Sequence, residues 1–107
     1  MNFFKKLSRS VKGKIAIITG AGSGMGEATA KVFAAEGIKV IATDINLKEV
    51  ERVASEINSS KGDCKPMLLD VTDKESIQKC IDETIEAYGS LDIVINNAGI
   101  SSATAVD

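Results

Sequence analysis

Apolar residues follow two rhythms along the chain. Short, nearly continuous runs read as strands: "KIAIIT" (Lys14 to Thr19), "KVIATD" (Lys39 to Asp44), a third over about Pro66 to Asp70, and the start of "LDIVINNAG" (Leu91 to Gly99). Between them apolar residues recur every three or four positions, as on one face of a helix. The order is therefore βαβαβαβ, with no internal repeat or low-complexity segment. "KIAIIT" has the composition of a parallel strand covered on both faces. The spacing predicts a first helix from near Gly24 to Glu36, with Ala28, Val32 and Ala35 facing the sheet and Gly37 as a left-handed stop. The second helix is capped by Asn46 with Glu49 at its third position, buries Val50, Val53, Ala54 and Ile57, and frays through "NSSKGD". The third strand takes its proline at the entrance, where a missing N–H does least damage. Thr72 and Glu75 form a second capping box, opening a third helix whose Ile77, Ile81, Ile85 and Tyr88 recur until Gly89.

Right-handed crossovers stack such units into one α/β architecture, a doubly wound parallel sheet of four strands in order 3-2-1-4 with three helices on its two faces. The order reverses between the first and fourth strands. Ligands of open α/β sheets bind beyond the carboxyl ends of the strands at that reversal. Both "TGAGSGMG" (Thr19 to Gly26) and "NNAG" (Asn96 to Gly99) fall there.

A strand-to-helix turn that approaches a pyrophosphate closely has to avoid Cβ atoms and visit positive φ, which Gly20, Gly24 and Gly26 allow. The helix that they open presents unpaired N–H groups and the positive end of its dipole to phosphate oxygens. Ser23 and the backbone of Met25 are placed to add hydrogen bonds. No Lys-Ser or Lys-Thr follows the glycines, so the turn is not a P-loop; a tight structural turn would give the same letters. Asp44 follows about 20 residues later at a strand end, where a carboxylate accepts from adenosine ribose hydroxyls. It would repel a 2′-phosphate, and neither Ser23 nor Ile45 is basic, so NAD is favoured over NADP. The competing reading has Asp44 beginning the turn "DIN" and capping the next helix. Asp70 and Val71 close the third strand where adenine would lie, or else form a strand terminus ahead of Thr72. Asn96 and Asn97 can satisfy backbone groups on neighbouring strand ends, one of them reaching toward a nicotinamide ribose, and Gly99 lets the chain pass close to a cofactor.

Composition narrows the remaining options. With 107 residues, 44% of them apolar and 26% charged, the chain suits one small soluble domain, read as residues 13–107 behind a basic leader over 1–12. The leader lacks the apolar region of a secretory signal, and no stretch approaches the roughly 18 apolar residues of a membrane span, so no membrane is expected. A net charge of -2 gives no reason to expect nucleic acid. Cys64 and Cys80 have no CxxC spacing and read as free thiols in a reducing, cytoplasmic setting. No histidine is present, which removes Ser-His-Asp and Cys-His chemistry and the commonest zinc sites; no metal site is expected.

Taken together, the motifs resemble the short-chain dehydrogenase/reductase family with the cofactor motif TGxxxGxG. The matching residues are Thr19, Gly20, Gly24 and Gly26, then Asp44, Asp70-Val71 and Asn96-Asn97-Ala98-Gly99, and the resemblance runs from about Val11 to the end. It implies a Rossmann-type fold and an NAD(P)-dependent oxidoreductase moving hydride between nicotinamide and a carbonyl or alcohol. It also implies that Asn97 contacts the cofactor while Asp70 and Val71 hold adenine. Members of the family are more than twice as long and use a tyrosine, a lysine four residues later and an upstream serine. Here Tyr88 is the sole tyrosine, Asp92 stands four residues on, and Ser101 and Ser102 follow "NNAG" too closely, so no catalytic residue carries over. The expectation is a dinucleotide-binding portion truncated after the "NNAG" strand and inactive by itself, its substrate bound only in a full-length protein. Its open fourth strand would favour a homo-oligomer. A non-enzymatic NAD-binding module or an oligomeric fragment is the alternative.

Overall fold

The computed structural model describes residues 11–98. Expectations placed on Gly99, on Ser101 and Ser102 and on residues 1–10 of the leader lie outside them. Seven elements follow in order: β1 (Ile15–Thr19), α1 (Gly24–Ala35), β2 (Lys39–Asp44), α2 (Leu47–Ser59), β3 (Asp63–Leu68), α3 (Lys74–Tyr88) and β4 (Ile93–Asn96). They build one four-stranded parallel sheet in the order β3-β2-β1-β4, as the pattern predicts.

Strand alternation divides the core into two layers. Ala16, Ile18, Val40 and Ala42 face α1 and α2, meeting Ala30, Ala34, Val50, Val53, Ala54 and Ile57. Ile17 and Ile41 point the other way, into a smaller cluster with Leu69 and Cys80, against which Ile77, Ile81 and Tyr88 of α3 pack. All five residues of β1 are buried, which accounts for its unbroken apolar run.

The stripe expected on α2 is buried in full, but the one expected on α1 is not. Ala28 and Ala35 are exposed and Val32 is 61% exposed, while Gly26, Ala30 and Ala34 face inward. The helix is apolar nearly all round, so periodicity selects no face. A Cβ on Gly26 would collide with the Gly20 carbonyl oxygen, so this glycine has to face the turn. The positions four and eight residues on, Ala30 and Ala34, follow it inward. On α3, Cys80 and Thr84 take the deepest positions and Ile85 stays exposed.

Two boundaries and one cap also differ from expectation. β3 begins at Asp63, three residues early, and carries Pro66 within it opposite Ala42. An edge strand tolerates proline, since half of its N–H groups point away from its partner. The N-cap of α3 is Asp73, whose carboxylate accepts from the Glu75 N–H, while Thr72 donates to Asp70. Asn46 does stand at the N-cap of α2, but its side chain makes no capping bond and Glu49 pairs with Arg52 instead. The helix stops hold: Gly37 and Gly89 take φ of 87° and 84°.

Candidate functional site

The carboxyl ends of β1, β2 and β4 are tied together by side chains. The Thr19 hydroxyl donates to Asn96 Oδ1 at 3.0 Å and accepts the Ala98 N–H at 3.0 Å, linking β1 to the chain beyond β4. Thr43 donates to the Ile18 carbonyl at 3.0 Å, joining β2 to β1. Both threonines are buried, where an unpaired hydroxyl would be costly. Asn96 therefore takes the structural part open to it, bridging neighbouring strand ends.

The glycine turn sits on this platform. Gly20 and Gly24 have φ of 64° and 57°, the left-handed region that favours glycine. A Cβ on Gly20 would lie 3.0 Å from the Ala98 amide nitrogen, and Asn97 Nδ2 donates to the Gly20 carbonyl at 3.4 Å. The first and last of the four motifs are thus in direct contact. Gly26 is excluded from bearing a side chain by the same Gly20 carbonyl. At Gly24, by contrast, an added Cβ would meet nothing within 4 Å. Ser23 stands at the N-cap of α1 in extended conformation and makes no side-chain capping bond, and both it and Met25 are exposed. The first-turn amides of α1 have no partner within the helix, so they are available to an anion in the open space before Gly24.

Asp44 ends β2 beside the turn. Its Oδ2 accepts from the Gly22 N–H and its Oδ1 from the Asn46 N–H, each at 3.0 Å. The second bond is the local "DIN" turn weighed in the sequence, and the first reaches across to the glycines. Gly22 lies outside the TGxxxGxG positions. Its Cβ would come within 2.8 Å of Glu49 Cβ and 2.9 Å of Asp44 Oδ2, so close approach of α2 requires glycine at this position too. Arg52 belongs to no motif, yet its Nη2 donates to the Gly22 carbonyl at 3.1 Å.

Asp70 lies past β3, whose ladder to β2 continues through the Leu69 N–H and the Asp44 carbonyl at 3.1 Å. One Asp70 oxygen accepts from both the hydroxyl and the N–H of Thr72, at 2.6 and 2.9 Å, and these bonds hold its carboxyl below the usual range. This is an Asx turn. Val71 is half-buried and lines an apolar cavity of about 160 Å3 with Ile17, Ile77, Ile81 and Val94. A larger cleft, about 530 Å3, lies between the far ends of α1 and α2, away from the glycine turn.

Tyr88 is placed elsewhere. It packs on the cluster around Ile17 and Ile41, with the Lys39 ammonium 5.5 Å from its ring centre. Lys39 begins β2, so Tyr88 lies at the amino ends of the strands and the glycine turn at their carboxyl ends. Asp92 is engaged at the same amino end, accepting from the Ile15 N–H at 2.9 Å. Among the described residues no group of three His, Cys, Asp or Glu side chains could hold a metal ion, and no helix is long and apolar enough to cross a membrane.

Known proteins share this fold. The chain is 40% identical over 91 residues to a 3-oxoacyl-[acyl-carrier-protein] reductase of Thermotoga maritima, covering 85% of this chain and 37% of that protein. In structure it is similar to a hydroxysteroid dehydrogenase from Escherichia coli, with a TM-score of 0.79 and 36% identity over 80% of this chain and 37% of that one. It is also similar to a short chain dehydrogenase/reductase from Burkholderia phymatum in complex with NAD, with a TM-score of 0.76 and 30% identity over 78% and 30% of the two chains. The chain thus spans well under half the length of these relatives. The family model for short chain dehydrogenases matches residues 14–107, and the chain belongs to that family.

Proposed function

We propose that this chain is the NAD-binding part of a short chain dehydrogenase that moves hydride between nicotinamide and a carbonyl or alcohol substrate. One observation carries the reading. Packing accounts for the glycines at 20, 22 and 26, whereas Gly24 combines positive φ with open space at the positive end of α1. That combination suits a pyrophosphate, received by the amides of Ser23, Gly24, Met25 and Gly26, with Gly20 shaping the turn. Asp44 suits the adenosine ribose: two backbone N–H groups fix its carboxylate, and the remaining lone pairs can accept from hydroxyls. Asp70 and the Val71 backbone would hold adenine, Asn97 would face the nicotinamide ribose, and Gly99 would permit close passage of the chain. The NAD bound to the Burkholderia phymatum relative supports the choice of dinucleotide. NAD would supply the hydride acceptor; the residues of this chain bind and orient it.

The test is calorimetric titration of the 107-residue chain with NAD and with NADP. NAD should bind the tighter, and Asp44→Ala should lower the ratio of the two affinities by about tenfold, on the order of one charge-assisted hydrogen bond and one lost repulsion. Folded protein that gives no saturable heat with NAD, or an unchanged ratio in the variant, would refute the assignment.

A second reading is a non-enzymatic NAD-binding module, in which Tyr88 serves packing alone. That side chain packs at the end of the sheet opposite the turn, so it has no access to a nicotinamide. We expect no NADH formation by the 107-residue chain with a panel of simple alcohols, and genuine turnover would exclude this reading. A second copy of the chain is the partner we propose, to be read by sedimentation. A cytoplasmic setting rests on the free thiols of Cys64 and Cys80.

A further inference from the structure

Gly22 is held at both of its backbone groups by charged side chains from outside the turn. Its N–H donates to Asp44 at 3.0 Å and its carbonyl accepts from Arg52 Nη2 at 3.1 Å. Arg52 projects from α2, and the rest of its guanidinium is engaged as well. It forms a fork on Glu27 of α1, at 2.9 and 3.1 Å, and bonds to Glu49 and Glu56 of its own helix at 3.1 and 3.0 Å. Lys31 completes the cluster by bridging Glu27 and Glu56 at 2.8 and 2.7 Å.

Two physical consequences meet at the turn. A trans peptide is planar, with its C=O and N–H pointing in opposite directions. Holding the Gly22 carbonyl toward α2 therefore aims the Ser23 N–H away from α2. The second consequence concerns Glu27, an acid in the first turn of α1, where it would repel an incoming phosphate. In the cluster three carboxylates face two cations; without Arg52 they would face one.

We propose that Arg52 is a positioning residue for the dinucleotide: it fixes the peptide between Gly22 and Ser23 and screens Glu27 from the phosphates, without touching the ligand. The proposal rests on the reading of the turn as a pyrophosphate site. A planar fork matters here, because one guanidinium spans a backbone carbonyl and a carboxylate at once, and the ammonium of a lysine does not reproduce that geometry.

The experiment compares Arg52→Gln and Arg52→Lys with the parent 107-residue chain. Backbone amide order parameters are measured by NMR relaxation without ligand, and NAD and adenosine are titrated by calorimetry. In Arg52→Gln the order parameter of the Ser23 amide should fall from about 0.85 to below about 0.6 with that of Ile41 unchanged, and the Kd for NAD should rise about tenfold, the order expected for one charge-assisted hydrogen bond. Adenosine, which lacks phosphates, should keep its affinity within about twofold. Arg52→Lys should restore the charge but leave the Ser23 amide mobile and recover about threefold at most of the NAD affinity. The proposal is overturned if Arg52→Gln changes neither the Ser23 order parameter nor NAD affinity, or if lysine restores both in full. Equal losses for NAD and adenosine with a lowered Ile41 order parameter would mean general loosening, and would overturn it too. A parent chain that fails to bind NAD while Arg52→Gln loosens the Ser23 amide would defeat the pyrophosphate reading and leave the clamp on the turn standing.

Discussion

Gly26 and Gly24 belong to the same turn but should answer to the same substitution very differently. An alanine at 26 would place its Cβ against the Gly20 carbonyl oxygen, 2.7 Å from the Gly20 carbonyl carbon and 2.8 Å from Asn97 Nδ2. Relaxed carbon–carbon contact needs about 3.5–4.0 Å, so backbone on one side has to move by about 1 Å. Neither side moves cheaply: Gly20 follows a fully buried strand, and Gly26 leads the inward face of α1. Overpacking of this kind costs about 3 kcal/mol, at the upper end of its usual range. In a domain of this size that is about 12–24 °C in Tm. At Gly24 the added methyl meets nothing within 4 Å, so only the positive φ of 57° is penalised. That costs about 1 kcal/mol, or about 4–8 °C. Thermal unfolding followed by circular dichroism separates the two variants. If Gly26→Ala melts within a few degrees of the parent, or no lower than Gly24→Ala, the close approach of α1 to the turn is wrong.

Two further outcomes follow from ionisable groups. The hydrogen bond from Arg52, and then that from Lys31, hold the Glu27 carboxyl at about 2 against an ordinary 4.5. A carboxyl depressed on folding adds stability above its ordinary value and loses it as pH falls toward its folded one. The urea midpoint of the parent should therefore drop more steeply than that of Glu27→Gln between pH 4.5 and 2, by an amount trimmed by solvent around this surface cluster; parallel profiles would show that the pairing adds nothing. Burial pushes the Cys64 thiol up to about 11 and also raises that of Cys80. Both should resist a maleimide at mildly alkaline pH, reacting about 100-fold slower than in urea, since labelling requires opening of the core. Prompt labelling of native protein would contradict their burial.

Strand order and the face of α2 were legible in the sequence because polar and apolar residues separate cleanly there. Val50, Val53, Ala54 and Ile57 are nearly the whole apolar content of α2, so they define one stripe. In α1 the sequence "GMGEATAKVFAA" offers apolar residues in every direction. What settles its face is a contact between Gly26 and Gly20, and the third glycine of the motif, whose role is close helix–strand packing, was the available signal. The start of β3 was hidden because Asp63 and Lys65 point to solvent along an edge strand and read as loop. Among the candidate site residues, Gly20, Gly24, Asp44 and Asn97 were recognisable from motif and spacing. Gly22 and Arg52 were not: one is glycine because α2 passes close to it, and the other is an exposed arginine on a charged helix face. Both depend on contacts between residues 22 and 30 positions apart, which leave no local trace.

The bond from Gly22 to Asp44 has a bearing on redesign. One carboxylate serves both as the proposed discriminator between dinucleotides and as an anchor for the turn meant to receive their phosphates. Cofactor preference and scaffold geometry are therefore coupled at a single position. Exchanging Asp44 for a small neutral residue to admit a 2′-phosphate would also release the Gly22 amide, weakening the grip on either dinucleotide. A successful conversion would keep an acceptor in place, as asparagine does, and introduce positive charge from a neighbouring position.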